Sequence, residues 1–321
     1  MIEILCDTPL ASVQDLGRRG YLGQGVGTAG AMDHLALSAG NLMLGNAAGE
    51  AAVEIQMFPF SVRFTCATTF AVTGADAFAE LDGQPLPPWW CTRAAAGQVL
   101  AFSAPRHGVR SYLCVAGGIQ VPLVLGSRST QLRGAFGGLE GRQLRQGDQL
   151  PLSTACDRGP GGFGIAPPPH GLPLALDGTP AVRVIPAAEY PLFTSAAHAA
   201  LWQQPWKITP QSNRYGYRLA GTALLPIRPL EMQSHGIVPG VIQVPHGGQP
   251  IIQLRDAQPM GGYPKIGAVI EADLWRLSHI ALGATLRFIE VDYPQGLQAL
   301  DEQQQLLASV QRSTAHLHAA A

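Results

Sequence analysis

The residues best equipped for chemistry in this 321-residue chain sit in glycine-punctuated clusters. Asp256, Gln258 and Lys265 fall within ten residues and straddle a loop from Pro259 to Pro264 that carries Gly261 and Gly262. A carboxylate, an amide and an ammonium so close together can bind, polarise and deprotonate an amide-type substrate, which makes these three the candidate catalytic residues. The plainer alternative is an Asp-started turn beside an exposed lysine. Asn213, Arg214 and Arg218 flank Tyr215 and Tyr217. In a strand the two arginines share a face, and a guanidinium beside a tyrosine either grips a carboxylate or stacks as a structural cation. Arg128, Arg133 and Arg142 lie in a segment with one acid, Glu140, and with the hydroxyls of Ser127, Ser129 and Thr130. That group suits a carboxylate or phosphate, unless its arginines pair with acids elsewhere. Asp33 precedes an apolar helical stripe and is either its N-cap or a carboxylate that orients a substrate N–H. Asp33, Arg128, Asn213 and Arg214 are the candidate substrate-binding residues.

Composition excludes several other chemistries. Charged residues are 13% of the chain and the net charge is -1, which leaves no basic face for nucleic acid. Lys207 and Lys265 are the only lysines, so nearly every cation is a planar arginine fork. No G-x-x-x-x-G-K-[ST] loop occurs, so a nucleotide loop would have to come from another chain. No H-E-x-x-H or Cys/His cluster has zinc spacing, and His316 and His318 sit in a polar tail, so no metal site is expected. No G-x-S-x-G elbow occurs, and neither lysine is placed as a biotin carrier. The five cysteines, Cys6, Cys66, Cys91, Cys114 and Cys156, form no C-x-x-C pair and read as reduced core thiols of a cytoplasmic protein. The uncharged stretches 111–127 and 232–254 contain prolines and glycine pairs, so neither is a membrane helix and no membrane partner is expected.

The elements that must position these residues are mainly strands. Gly 38 and Pro 26, together with 46% hydrophobic residues, indicate many short strands and turns around a sizeable core. Strands are expected at 62–64, 69–73, 99–103, 111–115, 181–185, 206–209, 216–219, 241–244, 250–254, 274–278 and 285–291. Helices are expected near 33–44 and 297–310. A Gly/Pro-rich linker or loop at 157–180 divides the chain into domains at 1–156 and 181–295, with a C-terminal helix and tail at 296–321. Gly97, Leu100 and Phe102 share a G-x-x-L-x-F pattern with Gly283, Leu286 and Phe288, a faint sign of two related halves.

Four ordered motifs carry a resemblance. They are Val13-Gln14-Asp15-Leu16-Gly17-Arg18 with Gly30-Ala31-Met32-Asp33; Gly126-Ser127-Arg128-Ser129-Thr130 with Gly137-Gly138; Gln211-Ser212-Asn213-Arg214-Tyr215-Gly216-Tyr217-Arg218; and Gly240 to Pro245 with Asp256, Gln258 and Gly261 to Gly267. Together they resemble the family known as KipA-like, as allophanate hydrolase subunit 2-like, or as the C subunit of 5-oxoprolinase, over nearly the whole chain. The resemblance implies a mainly β fold of two cyclophilin-like antiparallel β-barrel domains with few short helices. It implies work beside a KipI-like B subunit and an A subunit, in an ATP-dependent opening of the 5-oxoproline lactam to L-glutamate. ATP, with Mg, then enters at the level of the complex. It also implies two alternatives: a biotin-dependent carboxyltransferase half related to urea carboxylase, or a non-enzymatic regulator of a KipI-like protein. The chain departs from the family pattern at His235, where a glutamate is frequent, and at Pro259 and Met260, where two threonines are frequent.

Overall fold

Apolar–polar alternation becomes sheet in the first half of the chain. Phe60–Phe64 buries its two phenylalanines and Val62 and leaves Ser61 and Arg63 at the margin. The structure is a computed structural model that describes residues 1–6, 10–168 and 174–319. It divides into two units. One comprises Met1–Arg18, Ala29–Leu172 and Gln304–Ala321, the other Arg19–Thr28 and Pro173–Gln303.

In the first unit the described strands form two six-stranded antiparallel sheets. One carries Ile2–Ile4, Phe60–Phe64 and Val99–Phe102; the other carries Ala11–Gln14, Ala52–Ile55, Thr68–Asp76 and His107–Val115. Ile2, Val62, Phe64 and Leu100 of the first sheet share a core with Val13, Val53, Phe70, Val72 and Leu113 of the second. Helix His34–Met43 lies on the Thr68–Asp76 and His107–Val115 strands and begins at Asp33, whose Oδ1 accepts the Ala36 N–H at 2.8 Å. The Asp33 N–H donates to the Tyr112 hydroxyl at 2.8 Å, and that hydroxyl donates to Glu54 Oε2 at 2.7 Å. Burial, then the charges of Glu54 and Asp33, push Tyr112 well above the usual phenol range, so it stays protonated and keeps donating.

The segment 124–144 is held by Asp15. Its Oδ1 accepts from the Gly17 N–H and the Ser127 hydroxyl, both at 2.7 Å, and from the Ser129 hydroxyl; its Oδ2 accepts the Arg128 N–H at 2.6 Å. Arg18 donates to the carbonyls of Val124 and Ser129 and lies over the Phe136 ring. Gly137, at φ 70°, faces Ser129 O and Arg18 Nη2 so closely that a Cβ would clash with both. The glycines of this cluster therefore serve packing.

In the second unit seven strands close a barrel. Going round, they are Thr179–Pro186, Lys265–Val269, Val241–Gln243, Ile251–Gln253, Gly216–Ala220, Trp206–Ile208 and Thr285–Glu290, which returns to the first. Six of the pairings are antiparallel, and the closing pair, Ala181↔Arg287 to Val184↔Glu290, is parallel. An odd number of strands cannot alternate direction around a ring, so one parallel pair is obligatory. The expected mainly β architecture is present, with this one exception to antiparallel pairing among the strands of the described residues.

Three local expectations are corrected. Residues 274–278, expected as a strand, form helix Leu274–Leu277 after the 3-10 turn Glu271–Asp273. Asp273 bonds Arg276 at 2.8 Å, an i,i+3 pair that helical geometry makes, and it also pairs with Arg183 at 2.7 Å. An unexpected helix, Ser195–Gln203, starts at Thr194, whose hydroxyl accepts the Ala197 N–H. The 157–180 segment is partly sheet: Phe163–Gly164 pairs with Trp90–Ala94, and Ala175–Leu176 with Thr179–Pro186, while 169–173 lie outside the described residues. The C-terminal helix runs Tyr293–Ala319 and opens on a reciprocal cap between Asp292 and Gln295. Its Ala299 and Leu300 join a cluster with Ile270 and Val291; its Leu307 and Val310 pack in the first unit with Leu42 and Met43. The expected tail residues 320–321 lie outside the described residues. Asp15→Ala leaves four donors without their acceptor, and we expect a loss of about 2–4 kcal/mol in denaturant unfolding of the full chain.

Candidate functional site

Strand alternation builds the site. Tyr217, Leu219, Ile242 and Ile252 point into the barrel and are buried. Their neighbours Gly216, Arg218, Gln243, Ile251 and Gln253 therefore face outward, and all of these line one cavity of about 440 Å³. The cross-strand pairs Gly216↔Gln253, Arg218↔Ile251 and Gln243↔Ile251 place them in adjacent rows. Gln211, Asn213 and Tyr215 complete the wall from one loop, and Gln258 and Tyr263 from another.

A buried ion pair joins those two loops. Arg214 Nε and Nη2 donate to Asp256 Oδ2 and Oδ1 at 2.9 and 3.0 Å, with Arg214 7% and Asp256 1% exposed. The backbone repeats the link, as Asp256 N donates to Arg214 O at 3.0 Å and Leu254 N to Tyr215 O at 2.9 Å. The fork and the carboxylate are thus committed to each other behind the cavity. Neither Arg214 nor Asp256 lines it, although the sequence offered one as a substrate anchor and the other as a catalytic acid or base.

The cavity wall is rich in amides. Asn213 Oδ1 accepts the Tyr215 N–H at 2.8 Å, which leaves its Nδ2 as a donor. Gln253 Nε2 donates to Gln243 Oε1 at 3.0 Å, and Gln243 Nε2 donates to the Tyr263 carbonyl at 3.3 Å. This relay fixes both amides and leaves Gln253 Oε1 as an acceptor. Gln258, exposed, joins Asn213 on the wall. Arg218 is the one cation of the lining, is exposed, and has no side-chain partner among the described residues. The lining contains no carboxylate.

Lys265 sits beside this wall but does not line it. Its Nζ lies 3.2 Å from Glu189 Oε2 and 2.6 Å from His235 Nε2. An ammonium only donates, so His235 Nε2 accepts and its Nδ1–H donates to the Gln233 carbonyl at 3.1 Å. His235 reaches this place through the pairing His235↔Gly261, which brings Met260 and Gly261 beside the departure from the family pattern. Asp33 and Arg128 belong to the first unit. Asp33 is the helix cap described above and is 1% exposed; Arg128 donates from Nη2 to Gln120 Oε1 at 2.9 Å. The structure thus gathers Asn213, Arg214, Asp256 and Gln258 at one place, with Lys265 in a neighbouring trio. Arg218 lies on strand Gly216–Ala220 while Arg214 lies in the loop before it, so the two do not share the strand face expected from the sequence. Gln253 went unremarked in the sequence, though an amide ending an apolar strand was its signal.

The model for the carboxyltransferase domain, subdomain A and B, matches residues 24–290. The chain belongs to this family. It is 42% identical to the 5-oxoprolinase C subunit of Escherichia coli over 95% of this chain and 96% of that one. It is 43% identical to the 5-oxoprolinase C subunit of Haemophilus influenzae over 90% of each. Among solved structures, the Kluyveromyces lactis urea carboxylase superposes with a TM-score of 0.88 at 27% identity, covering 98% of this chain and 29% of that one. No helix among the described residues of this carboxyltransferase-family chain is long and apolar enough to cross a membrane.

Because the Arg214–Asp256 pair is buried, removing one partner strands the other. Asp256→Ala is expected to cost about 3–5 kcal/mol, and Arg214→Met with Asp256→Leu less than the sum of the two single changes. Denaturant unfolding of Asp256→Ala, and of Arg214→Met, Asp256→Leu and their combination as a double-mutant cycle, checks both expectations.

Proposed function

We propose that this chain is the C subunit of an ATP-dependent 5-oxoprolinase complex, acting with a KipI-like B subunit and an A subunit to prepare 5-oxoproline for hydrolysis to L-glutamate. One observation carries the reading: the likeness to proteins of that name runs nearly the full length of both partners, at 42% and 43% identity. The cavity agrees with it chemically. 5-Oxoproline presents one carboxylate and one lactam amide. The unpaired Arg218 fork offers the cation for the carboxylate, and the Asn213, Gln253 and Gln258 amides offer donors and acceptors for the lactam. Lys265, paired with Glu189 and held by His235, sits next to that wall.

The ATP and magnesium of this reading do not fit the cavity. Its lining holds no carboxylate for a hard cation, and no cluster of three metal-ligating side chains occurs among the described residues. Nucleotide chemistry is therefore assigned to the partner subunits, and this chain to holding and orienting the lactam. Asp256, sealed behind Arg214, acts in this reading as a positioning residue, and Gln258 as a substrate-facing amide.

A second reading, a biotin-dependent carboxyltransferase half, is favoured by the superposition on urea carboxylase. It too requires a held amide, and biotin would arrive on another chain or domain. Purified chain with B and A partners separates the readings. We expect 5-oxoproline-dependent ATP hydrolysis by the set and none by this chain alone; urea-dependent carboxylation in its place would favour the second reading. Arg218→Gln is expected to raise KM for 5-oxoproline about ten- to a hundredfold with an unchanged melting temperature. An unchanged KM would remove Arg218 from the site.

A further inference from the structure

Cys66 and Cys156 are 90 positions apart in sequence, yet their sulfurs lie 3.8 Å from each other. The backbone enforces this meeting. Cys66 follows strand Phe60–Phe64 and precedes strand Thr68–Asp76, the Thr69 N–H donates to the Cys156 carbonyl at 2.7 Å, and the Cys156 thiol donates to the Ala67 carbonyl at 3.5 Å. Cys66 is partly exposed, so a small reagent reaches it, whereas Cys156 is 7% exposed behind it.

We propose that Cys66 and Cys156 form a reversible dithiol site that peroxides close to a disulfide and dithiols reopen. The Cys66 thiolate attacks the peroxide O–O bond, takes one oxygen as sulfenic acid, and releases an alcohol or water once that leaving group gains a proton. The Cys156 thiol then attacks the Cys66 sulfur, the S–O bond breaks, and water leaves with the thiol proton. In balance, two thiols and one peroxide give one disulfide, one alcohol or water, and one water. Both thiols are oxidised and the peroxide is reduced.

The division of roles follows from the surroundings. Burial opposes ionisation of Cys66, but its hydrogen bonds with the Met1 ammonium, Thr68 and Cys156 outweigh it and bring the thiol below its usual value. Burial, then the neighbouring Cys66, raises Cys156, which suits it to wait protonated as the resolving group. The other thiols have no such place. Burial pushes Cys91 and Cys114 up to about 12, and Cys6 donates to the Ser61 carbonyl with no thiol partner among the described residues.

The test uses the full reduced chain and hydrogen peroxide, followed by alkylation and peptide mass mapping. We expect two of the five thiols to disappear with a loss of about 2 Da, one linked peptide pair joining 66 to 156, and full recovery with dithiothreitol. In C156S the Cys66 sulfenic acid should persist and be trapped by dimedone; in C66S the loss of the Cys156 thiol should slow at least tenfold. A wild-type chain that keeps all its thiols, that links other cysteines, or that over-oxidises Cys66 while Cys156 stays free would overturn the proposal. The wild-type measurement decides without either variant. Because the readout is chemical and confined to the first unit, it stands whether or not the 5-oxoprolinase reading does.

Discussion

The buried pair of Arg214 and Asp256 is the constraint on which the candidate site depends. It reinforces the backbone bonds between two loops that leave different barrel strands, and each of those loops carries residues of the cavity wall. A bidentate bond inside the protein is costly to form and costlier to break by half, so it fixes the spacing of the loops while remaining out of the substrate's reach. Asn213 lies one residue before the arginine, and Gln258 two residues after the aspartate. Their geometry is therefore inherited from the ion pair.

The same economy of charge recurs in the first unit. Asp15 accepts from four groups and holds the 124–144 segment, and Tyr112 with Glu54 holds the start of helix His34–Met43. With charged residues at 13% of the chain, most of the charged side chains in the conspicuous motifs are spent on tying loops to strands. Arg218 is the exception among the charges of the cavity, and its isolation makes it the chemically informative one.

A wall of amides with a single cation differs from a site built to do acid–base work unaided. In the function proposed above, its task is to recognise and orient, with activation supplied by other groups. This agrees with relatives named as one subunit of a larger enzyme and with the absence of acidic oxygens in the cavity lining. The trio of Glu189, Lys265 and His235 sets an ammonium paired with a carboxylate at the edge of the wall, with the histidine tautomer dictated by the lysine.

The sequence by itself determined the mainly β fold class and the family, because alternation and ordered, glycine-punctuated motifs are local signals; at Asp33 it offered a cap or a substrate contact, and the structure has the cap. Two of the sequence's candidates, Asn213 and Gln258, line one cavity. It misread 274–278, since a short apolar alternation fits either period, and the pairing of Asp273 with Arg276 and the distant Arg183 is what selects the helix. Its emphasis on Arg214 and Asp256 found two residues that belong together but not what each is for. Whether an arginine faces a ligand or a carboxylate depends on a partner 42 positions away. The outward turn of Arg218, the meeting of Cys66 with Cys156 and the one parallel pair that closes the barrel were likewise decided only by tertiary structure, because each depends on groups that the chain brings together only by folding.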